Sequence, residues 1–380
     1  MRRKTIGVAL LLVGASTLGS VAIAGSALTA AASAATTCLV VNTRLDQSYP
    51  RLQDAMRTAI DGDTLFVKGT CPGHTVITKN LTIKGQTRRT AILDGGGVDV
   101  PSGSVLTICG AHVTLTSLQV EGGTGTTTEA LCGGNLDTSG RFGGGIAEDQ
   151  GILTLNDSSV HNNSVPPELG DQEGGGIFSA HAVVTLNNSS VYGNTSGEGA
   201  GGVGLDAAIL TLNGGSSVND NSSPNGSAGG IADDGQLTLN DTSSVYGNTS
   251  ASAGGGITVN FGAALELNDQ TAVHDNKGDQ GGGVFNGGGD VTMNGSSSIN
   301  GNTATEGGGG VFNLAEGGLG TLTMNDSSSI HNNLSLIGGG GGIFNQGGTL
   351  SGTYPAPVTT CSTGVSGFNV YCNAPDNIFP

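Results

Sequence analysis

The chain has 380 residues, with 13 Lys and Arg against 30 Asp and Glu, and a formal net charge of −17 at pH 7. So negative a protein repels nucleic acid and anionic membranes, and neither is expected as a partner. Lys277 is the single basic residue beyond Arg141, so an anionic polysaccharide is not expected to bind over most of the chain.

The first 34 residues predict a secretory signal peptide. Basic residues near the N-terminus precede an apolar stretch from Ile6 to Leu18, and Ala32-Ser33-Ala34 fits a cleavage site. No later stretch is apolar enough to span a membrane. The processed protein is therefore predicted to be secreted, extracellular or at the cell surface, with no membrane-spanning segment.

Residues 35–74 predict an N-terminal cap, and residues 75–142 predict irregular coils of short strands. A helix is expected at about residues 51–60, because apolar side chains recur there at helical spacing. These side chains are Leu52, Ala55, Met56, Ala59 and Ile60. A strand is expected from Thr64 to Val67, and a protruding loop from Thr124 to Arg141.

One motif recurs between residues 143 and 350, about every 27 residues. An alternating run such as Leu153-Thr154-Leu155 precedes a polar turn, a Val or Ile, and an Asn three residues later. A glycine cluster then begins the next copy. Successive copies of this Asn lie 26 to 31 residues apart. They are Asn163, Asn194, Asn221, Asn248, Asn276, Asn302 and Asn333.

This period indicates an array of one supersecondary unit. The alternation is that of a half-buried strand, with Leu153 and Leu155 inward and Thr154 in water. A single coil cannot bury its apolar side chains, so coils must stack with equivalent strands about 4.8 Å apart. The prediction is an all-β parallel solenoid with three short strands per coil and one capping helix before it. The recurrent Asn either form a hydrogen-bonded ladder, which is favoured, or are exposed loop residues.

The segment Val-Tyr-Gly-Asn-Thr, followed by Gly-Gly-Gly-Ile, resembles the repeats of polymorphic outer-membrane proteins. Those repeats carry Phe-x-x-Asn and Gly-Gly-Ala-Ile, and Val or Ile stands here in place of that Phe. The resemblance covers about residues 143–350. It implies a right-handed parallel β-helix of the pectin-lyase-like class, at a bacterial surface or secreted, with an adhesive role. The stretch from Leu52 to Gly73 is similar to the opening of many bacterial pectin-lyase-like proteins.

Six Cys are an even number, which in an exported chain is consistent with disulfides. Pairing of sequence neighbours is the simplest arrangement, although other connectivities stay open. It joins Cys38 to Cys71, Cys109 to Cys132, and Cys361 to Cys372. These bridges would fasten the two ends of the solenoid. Residues 351–380 predict a C-terminal cap or tail.

Polysaccharide cleavage is the alternative to a non-catalytic role. A lyase needs a base and positive charge for the substrate carboxylate, and its basic residues would have to come from the early coils. These are Lys79, Lys84, Arg88, Arg89 and Arg141, with no evident cluster. A hydrolase needs two opposed carboxylates, whereas Asp233-Asp234, followed by Gly235, is interpreted as a turn. No catalytic residue is assigned.

Equivalent residues of stacked coils form vertical files, which make binding surfaces. The residue after the inward Val or Ile should face outward, where it contacts a glycan, a surface protein or only solvent. This file is His161, Tyr192, Asn219, Tyr246, His274, Asn300 and His331. A second file is Phe178, Phe285, Phe312 and Phe344. Its last three members either form an exposed patch for a partner or, as favoured here, pack structurally.

Two further files bear on metals and ice. Four acidic residues follow the strand Asn, namely Asp157, Asp241, Asp269 and Asp326. Calcium could bridge such oxygens, but turn capping is favoured and no cofactor or metal is predicted. An outward Thr file is a minor indication of ice binding, and it contains Thr154, Thr185, Thr211, Thr238, Thr292 and Thr323. The sequence thus predicts a non-catalytic, adhesive or structural protein, with a lyase or hydrolase of the pectin-lyase-like class as the alternative.

Overall fold

The computed structural model describes residues 37–88, 90–96, 103–133, 140–167, 171–318, 320–337, 339–352, 370–371 and 378–379. The predicted signal peptide and the pair Cys361 and Cys372 lie outside the described residues. The described chain is mostly β and forms a parallel β-solenoid of about 9 turns. The predicted all-β parallel solenoid is therefore confirmed.

Three parallel sheets run along the stack, and long strands at Thr64–Pro72, Val203–Asn213 and Ile231–Leu239 pass from one sheet into another. The other strands of sheet 1 are Thr75–Ile77, Leu106–Cys109, Ile146–Asp149, Ile177–Ala180, Ile257–Val259, Val284–Gly287, Val311–Leu314, Ile343–Gln346 and Ile378–Phe379. Those of sheet 2 are Leu81–Gly85, His112–Thr116, Ile152–Asn156, Val183–Asn187, Ala264–Leu267, Asp290–Met293, Thr321–Met324 and Thr349–Gly352. Those of sheet 3 are Ala91–Asp94, Gln119–Glu121, Ser159–His161, Ser190–Tyr192, Ser217–Asn219, Ser244–Tyr246, Ala272–His274, Ser298–Asn300, Ser329–His331 and Val370–Tyr371.

The coils contain a fourth strand that the three-strand prediction lacks. Its members follow the recurrent Asn and form sheet 4, which consists of Ser164–Val165, Thr195–Ser196, Ser222–Ser223, Thr249–Ser250, Lys277–Gln280, Thr303–Gly307 and Leu334–Ser335. Several of these strands are only two residues long, too short to show an alternating pattern. A separate small sheet joins Thr126–Thr127, Gly140–Phe142 and Asp171–Glu173. Its first two strands fall at the two ends of the segment predicted as a protruding loop.

The core is a stack of aliphatic side chains, and each coil contributes several of them. Leu153, Leu155 and Val160 are 0% exposed, as their alternation predicts. Leu155 is in register with Leu186 of the next coil, and the file continues through Leu267 to Met293, so apolar side chains pack on one another from coil to coil. Each such burial stabilises the fold by about 1.5–3 kcal/mol relative to exposure.

The seven recurrent Asn side chains line the bend between sheets 3 and 4, which we call the inner ladder. The Nδ2 of Asn194 donates to Oδ1 of Asn221 at 3.0 Å and to the carbonyl oxygen of Val160 at 3.1 Å. The same Oδ1 also accepts the backbone N–H of Asn194 at 3.0 Å. The pattern recurs from coil to coil, and every member is buried.

The glycine clusters lie directly against the inner ladder, and the ladder explains why glycine is required there. A Cβ added at Gly202 would lie 2.9 Å from both the Asn221 Nδ2 and a Val218 methyl carbon, and 2.5 Å from the Gly230 carbonyl oxygen. Real side chains do not approach so closely, so only glycine fits beside the ladder. The recurrence of Gly and Asn in the same repeat thereby has one physical cause.

A second line of Asn side chains ends the strands of sheet 2, and we call it the outer ladder. Here each amide donates toward the preceding coil, as from the Asn213 Nδ2 to the Asn187 Oδ1 at 3.0 Å. The inner ladder donates its side-chain amides toward the following coil. The outer ladder consists of Asn156, Asn187, Asn213, Asn240, Asn268, Asn294 and Asn325.

The N-terminal end is covered by the helix Leu52–Thr58 and by two antiparallel strands, Leu39–Asn42 and Gln47–Tyr49. Leu52, Ala55, Met56 and Ala59 are buried as predicted, whereas Ile60 is 54% exposed. Ile60 was predicted on the apolar face, but the helix ends at Thr58 and the chain is already extended at Ala59. Two 3-10 turns, Thr128–Ala130 and Glu316–Gly318, complete the helical elements of the described residues.

Two disulfides lie in the N-terminal part of the solenoid. They join Cys38 to Cys71 and Cys109 to Cys132, the two described pairs that the sequence predicted. The second bridge anchors the segment leading to the small sheet, since Leu131 and Cys132 pack against Phe142 and Phe178. A disulfide of this kind contributes about 2–4 kcal/mol.

Candidate functional site

A cleft of about 350 Å³ opens on the outer side of sheet 1, between the small sheet and the loop at Glu198 and Gly199. Its apolar base is formed by Phe142 and Phe178, whose ring centroids are 4.6 Å apart. Both rings are almost fully buried, at 3% and 1% exposure. Volumes of this size hold small organic ligands, so the cleft is the first candidate for a binding site.

The absence of a side chain at Gly204 leaves space in the cleft for the side chain of Glu173. Phe178 is followed in register by Gly204 in the next coil. A Cβ at Gly204 would lie 3.1 Å from the Cβ of Glu173 and 3.2 Å from its Oε2. The Glu173 side chain therefore occupies space above the sheet that a larger residue at position 204 would fill.

Among the described residues, five carboxylates line the cleft and no Lys or Arg does. The five are Asp171, Glu173, Glu198, Asp206 and Asp234. Asp206 and Asp234 are register partners on neighbouring strands of sheet 1. Glu173 comes from the small sheet, where it pairs with Phe142. Side chains from three separate segments thus converge on one volume.

The Glu173 carboxyl is the group most perturbed by this environment. Desolvation, followed by the negative charges of Asp234, Asp206 and Asp171, raises the pKa of Glu173 to about 8. Desolvation and the charge of Asp206 also raise the pKa of Asp234, against a hydrogen bond from Asn260. Strongly perturbed carboxyls in a cleft are typical of functional sites.

The pair Asp233-Asp234 was predicted to be a turn, and this is wrong. Both residues lie in the strand Ile231–Leu239, and their side chains point to opposite sides of sheet 1. Asp234 faces the cleft, whereas Asp233 is buried in the solenoid, where desolvation raises its pKa to about 7. The following Gly235 still donates its N–H to the Asp233 Oδ1 at 2.9 Å, which is the one turn-like feature.

The outward file after the inward Val or Ile is largely occupied by contacts within itself. The rings of His161 and Tyr192 stack at 4.7 Å, and those of Tyr246 and His274 stack at 4.9 Å. His161 is only 5% exposed, and desolvation followed by the charge of Arg88 lowers its pKa.

The Asn members of this file also have local partners. Asn219 donates to Asp220, and Asn300 donates to the hydroxyl of Ser298. His331 is half-buried at the end of the file, where desolvation lowers its pKa. The file therefore offers a ligand ring edges and polar atoms rather than open ring faces.

The phenylalanine file divides into two groups. Phe178 belongs to the cleft, while Phe285, Phe312 and Phe344 form a separate stack with centroid separations of 5.5 and 4.9 Å. Phe312, in the middle, is 5% exposed and the two outer rings are half-buried. Each ring covers the next, which leaves little open aromatic surface.

The acidic and threonine files lie at the ends and on the outer side of sheet 2. Asp157, Asp241, Asp269 and Asp326 all have positive φ, and three of them accept a backbone N–H from the preceding coil. The Thr file is interrupted by Glu266, which stands in register between Thr238 and Thr292. Among the described residues, no group of three or more His, Cys, Asp or Glu side chains is arranged to hold a metal ion.

Sequence reasoning missed the cleft and also a buried carboxyl at Glu148. Glu148 is 0% exposed and accepts a hydrogen bond from Ser179 at 3.4 Å, while its Oε1 has no partner. Desolvation, with the nearby charge of Asp149, raises its pKa to about 8. The usable signal was an acidic residue at an inward strand position, since Glu148 is two residues from the inward Ile146.

Comparisons with protein-family models, with curated proteins and with solved structures found no significant match. Within the described part of the chain, no helix is both long and apolar enough to cross a membrane.

Proposed function

We propose that the protein is an exported, non-catalytic β-solenoid that binds a glycan, and that the cleft beside Phe142 and Phe178 receives it. The observation that carries this proposal is a sugar-sized volume lined by several carboxylates and an apolar base. Carboxylates accept hydrogen bonds from sugar hydroxyls, and the apolar base suits the C–H faces of a sugar ring. A predicted signal peptide and two disulfides support an extracellular setting.

The charge of the cleft narrows the class of glycan. Its described lining contains five acidic side chains and no basic one, so it repels uronates and sulfated sugars. Neutral or positively charged sugars are the expected ligands. The stacked His and Tyr file on sheet 3 is a second, weaker contact surface for a longer chain.

The experiment is a panel of plant and bacterial glycans incubated with the purified protein, in which retention and product release are followed separately. Retention of a neutral or amine-bearing glycan without products is expected. The double variant Asp206→Asn with Asp234→Asn should reduce retention by about tenfold, as for the loss of hydrogen bonds to charged groups. Glu266→Gln, an exposed acidic residue on sheet 2, is the matched control and should bind as the unmodified protein does. Retention of no glycan at all would refute the proposal.

A hydrolase is the second candidate function, favoured by one observation. The raised pKa of Glu173 keeps its carboxyl protonated near neutral pH, while the negative charges of Asp206 and Asp234 lie within electrostatic reach. An acid and a carboxylate on opposite sides of a glycosidic bond are the minimum for hydrolysis. Release of new reducing ends, abolished by Glu173→Gln, would establish this candidate and displace the non-catalytic proposal.

A further inference from the structure

The negative side chains that line the cleft have no positively charged side chain beside them in its described lining. Among the described residues, Glu173, Asp171, Glu198 and Asp206 have no side-chain hydrogen bond or ion pair. Carboxylates this close together repel one another, and burying one of them costs free energy unless it is paired. The buried carboxyl of Asp63, by contrast, is bonded to both Arg44 and Asn42.

The unpaired carboxyl of Glu173 faces the cleft. Its side chain is enclosed between Gly199 and Gly204, where an added Cβ would lie 3.2 Å from Oε1 and from Oε2 respectively. The residue as a whole is partly exposed, yet its carboxyl group is desolvated and lines the cleft. A positively charged group in the cleft would neutralise this site and satisfy its oxygens.

The size and lining of the cleft indicate what kind of cation it takes. A volume of about 350 Å³ is far larger than a single ion needs. No metal-holding group of side chains occurs among the residues that the structure describes. A protonated amine carried on a sugar ring fits both the charge and the volume, because the amine meets the carboxylates while the ring fills the remaining space.

We propose that the cleft binds an amino sugar and recognises its protonated amine through Glu173, Asp206 and Asp234. This inference rests on the proposed glycan-binding function and names its ligand class. It adds that charge, rather than shape alone, selects the ligand.

The test compares three probes that differ mainly in charge. Binding of the purified protein to a β-1,4-linked glucosamine oligomer, its fully N-acetylated counterpart and a galacturonate oligomer of equal length is measured by calorimetry at physiological salt. The glucosamine oligomer should bind at least about tenfold more tightly than the acetylated one, as for a charge-assisted contact. The galacturonate should not bind.

Variants locate the effect. A bound ammonium group favours the ionised form of a neighbouring carboxyl, so Glu173 gives up its proton when the amine binds. Glu173→Gln should therefore reduce the preference for the free amine by about tenfold. Asp234→Asn, at an exposed position, serves as a second variant if the first folds poorly. Glu266→Gln removes the same charge from sheet 2 and should leave the preference intact. Circular dichroism and the unfolding midpoint verify that each variant is folded.

Three results would overturn the inference. They are equal binding of the acetylated and free oligomers, equal competition by a lysine oligomer, and displacement of the sugar by millimolar calcium. Equal binding of the two oligomers would leave the glycan-binding proposal standing, whereas absence of binding by every glycan of the panel would refute both. The two failures are therefore distinguishable.

Discussion

The inner ladder and the cleft handle polar groups in opposite ways. In the ladder, each Asn amide is buried and all of its donors and acceptors are bonded, as for Asn221 with Asn194, Asn248 and Val191. In the cleft, carboxyls such as Glu173 are desolvated without a bonded partner. Fully bonded polar groups specify a fold, whereas unbonded ones store free energy that a ligand can recover. The same solenoid thus separates the residues that hold it together from those available for binding.

The largest expected effect comes from breaking the inner ladder. Asn221→Ala removes four hydrogen bonds and leaves buried partners unsatisfied on both neighbouring coils, which should cost on the order of 3 kcal/mol or more. Asn213→Ala, in the half-exposed outer ladder, should cost about 1 kcal/mol because water replaces the lost partner. Unfolding midpoints in denaturant measure the difference. Equal losses would mean that burial does not distinguish the two ladders.

Removing the carboxyl of Glu148, which is buried with one unbonded oxygen, should raise the free energy of unfolding instead of lowering it. Glutamate in an unfolded chain ionises near pH ~4.3, whereas burial raises the pKa of Glu148 in the folded protein to about 8. The folded state therefore retains a proton that the unfolded state has released, and this stability is full below the unfolded pKa and lost as pH rises through about 8. Each unit of pKa difference corresponds to about 1.4 kcal/mol.

Glu148→Gln should accordingly flatten the decline in stability between pH 5 and pH 8.5, and should stabilise the protein at the upper end. Thermal unfolding followed by circular dichroism at several pH values is the measurement. Glu266→Gln is the control, because it removes an exposed carboxylate and should leave the pH profile unchanged. An unaltered profile in Glu148→Gln would show that this carboxyl is not the proton-retaining group, and would leave Glu173 and Asp233 to account for the slope.

A smaller effect is expected where the glycine cluster meets the inner ladder. Gly202→Ala places a methyl group against Asn221 and Gly230, and overpacking of this kind costs about 1–3 kcal/mol. Gly215→Ala is the matched control, since nothing lies within 4 Å of its added Cβ. The two variants differ in the unfolding midpoint if close approach is the reason for glycine. A tolerated alanine at position 202 would instead indicate that the coils can spread apart.

The smallest effect is expected in the sheet 3 file. Tyr192→Ala with Tyr246→Ala removes two rings, each of which already has one face stacked on a His ring, that of His161 or His274. Glycan retention should weaken only about twofold to threefold, well below the effect of changing the cleft, because ring edges make few contacts. The β-type circular dichroism should be preserved. A loss as large as that of Asp206→Asn with Asp234→Asn would move the binding site from the cleft to this file.

The solenoid was predictable because its determinants are local and repeated. Alternation in runs such as Leu153-Thr154-Leu155 identifies the inward face, and the repeat length requires stacking. The two described disulfides follow from pairing sequence neighbours. The helix end at Thr58 was missed, since the apolar spacing continues to Ile60 although the backbone has become extended.

The cleft was not predictable from the repeat, because it arises where the repeat is broken. It depends on the missing side chain at Gly204, one glycine among 70, and on Glu173, which lies in a strand outside the three main sheets. Asp234 was assigned to a turn because adjacent acidic residues before glycine commonly form one. Only the stacking register brings it beside Asp206.

The hydrogen bonding of the inner ladder has a consequence for how the molecule can change in length. The windings from Asn163 to Asn333 present the same amide donors on one side and the same amide acceptors on the other, so any of these windings can dock onto another. Excision of residues 277–302, which lie outside the cleft, would bring Asn333 into the place of Asn302 beside Asn276, with no ladder amide left without a partner. Whole coils can therefore be removed or added. Each such change would alter the distance between the cleft and the C-terminal end of the solenoid.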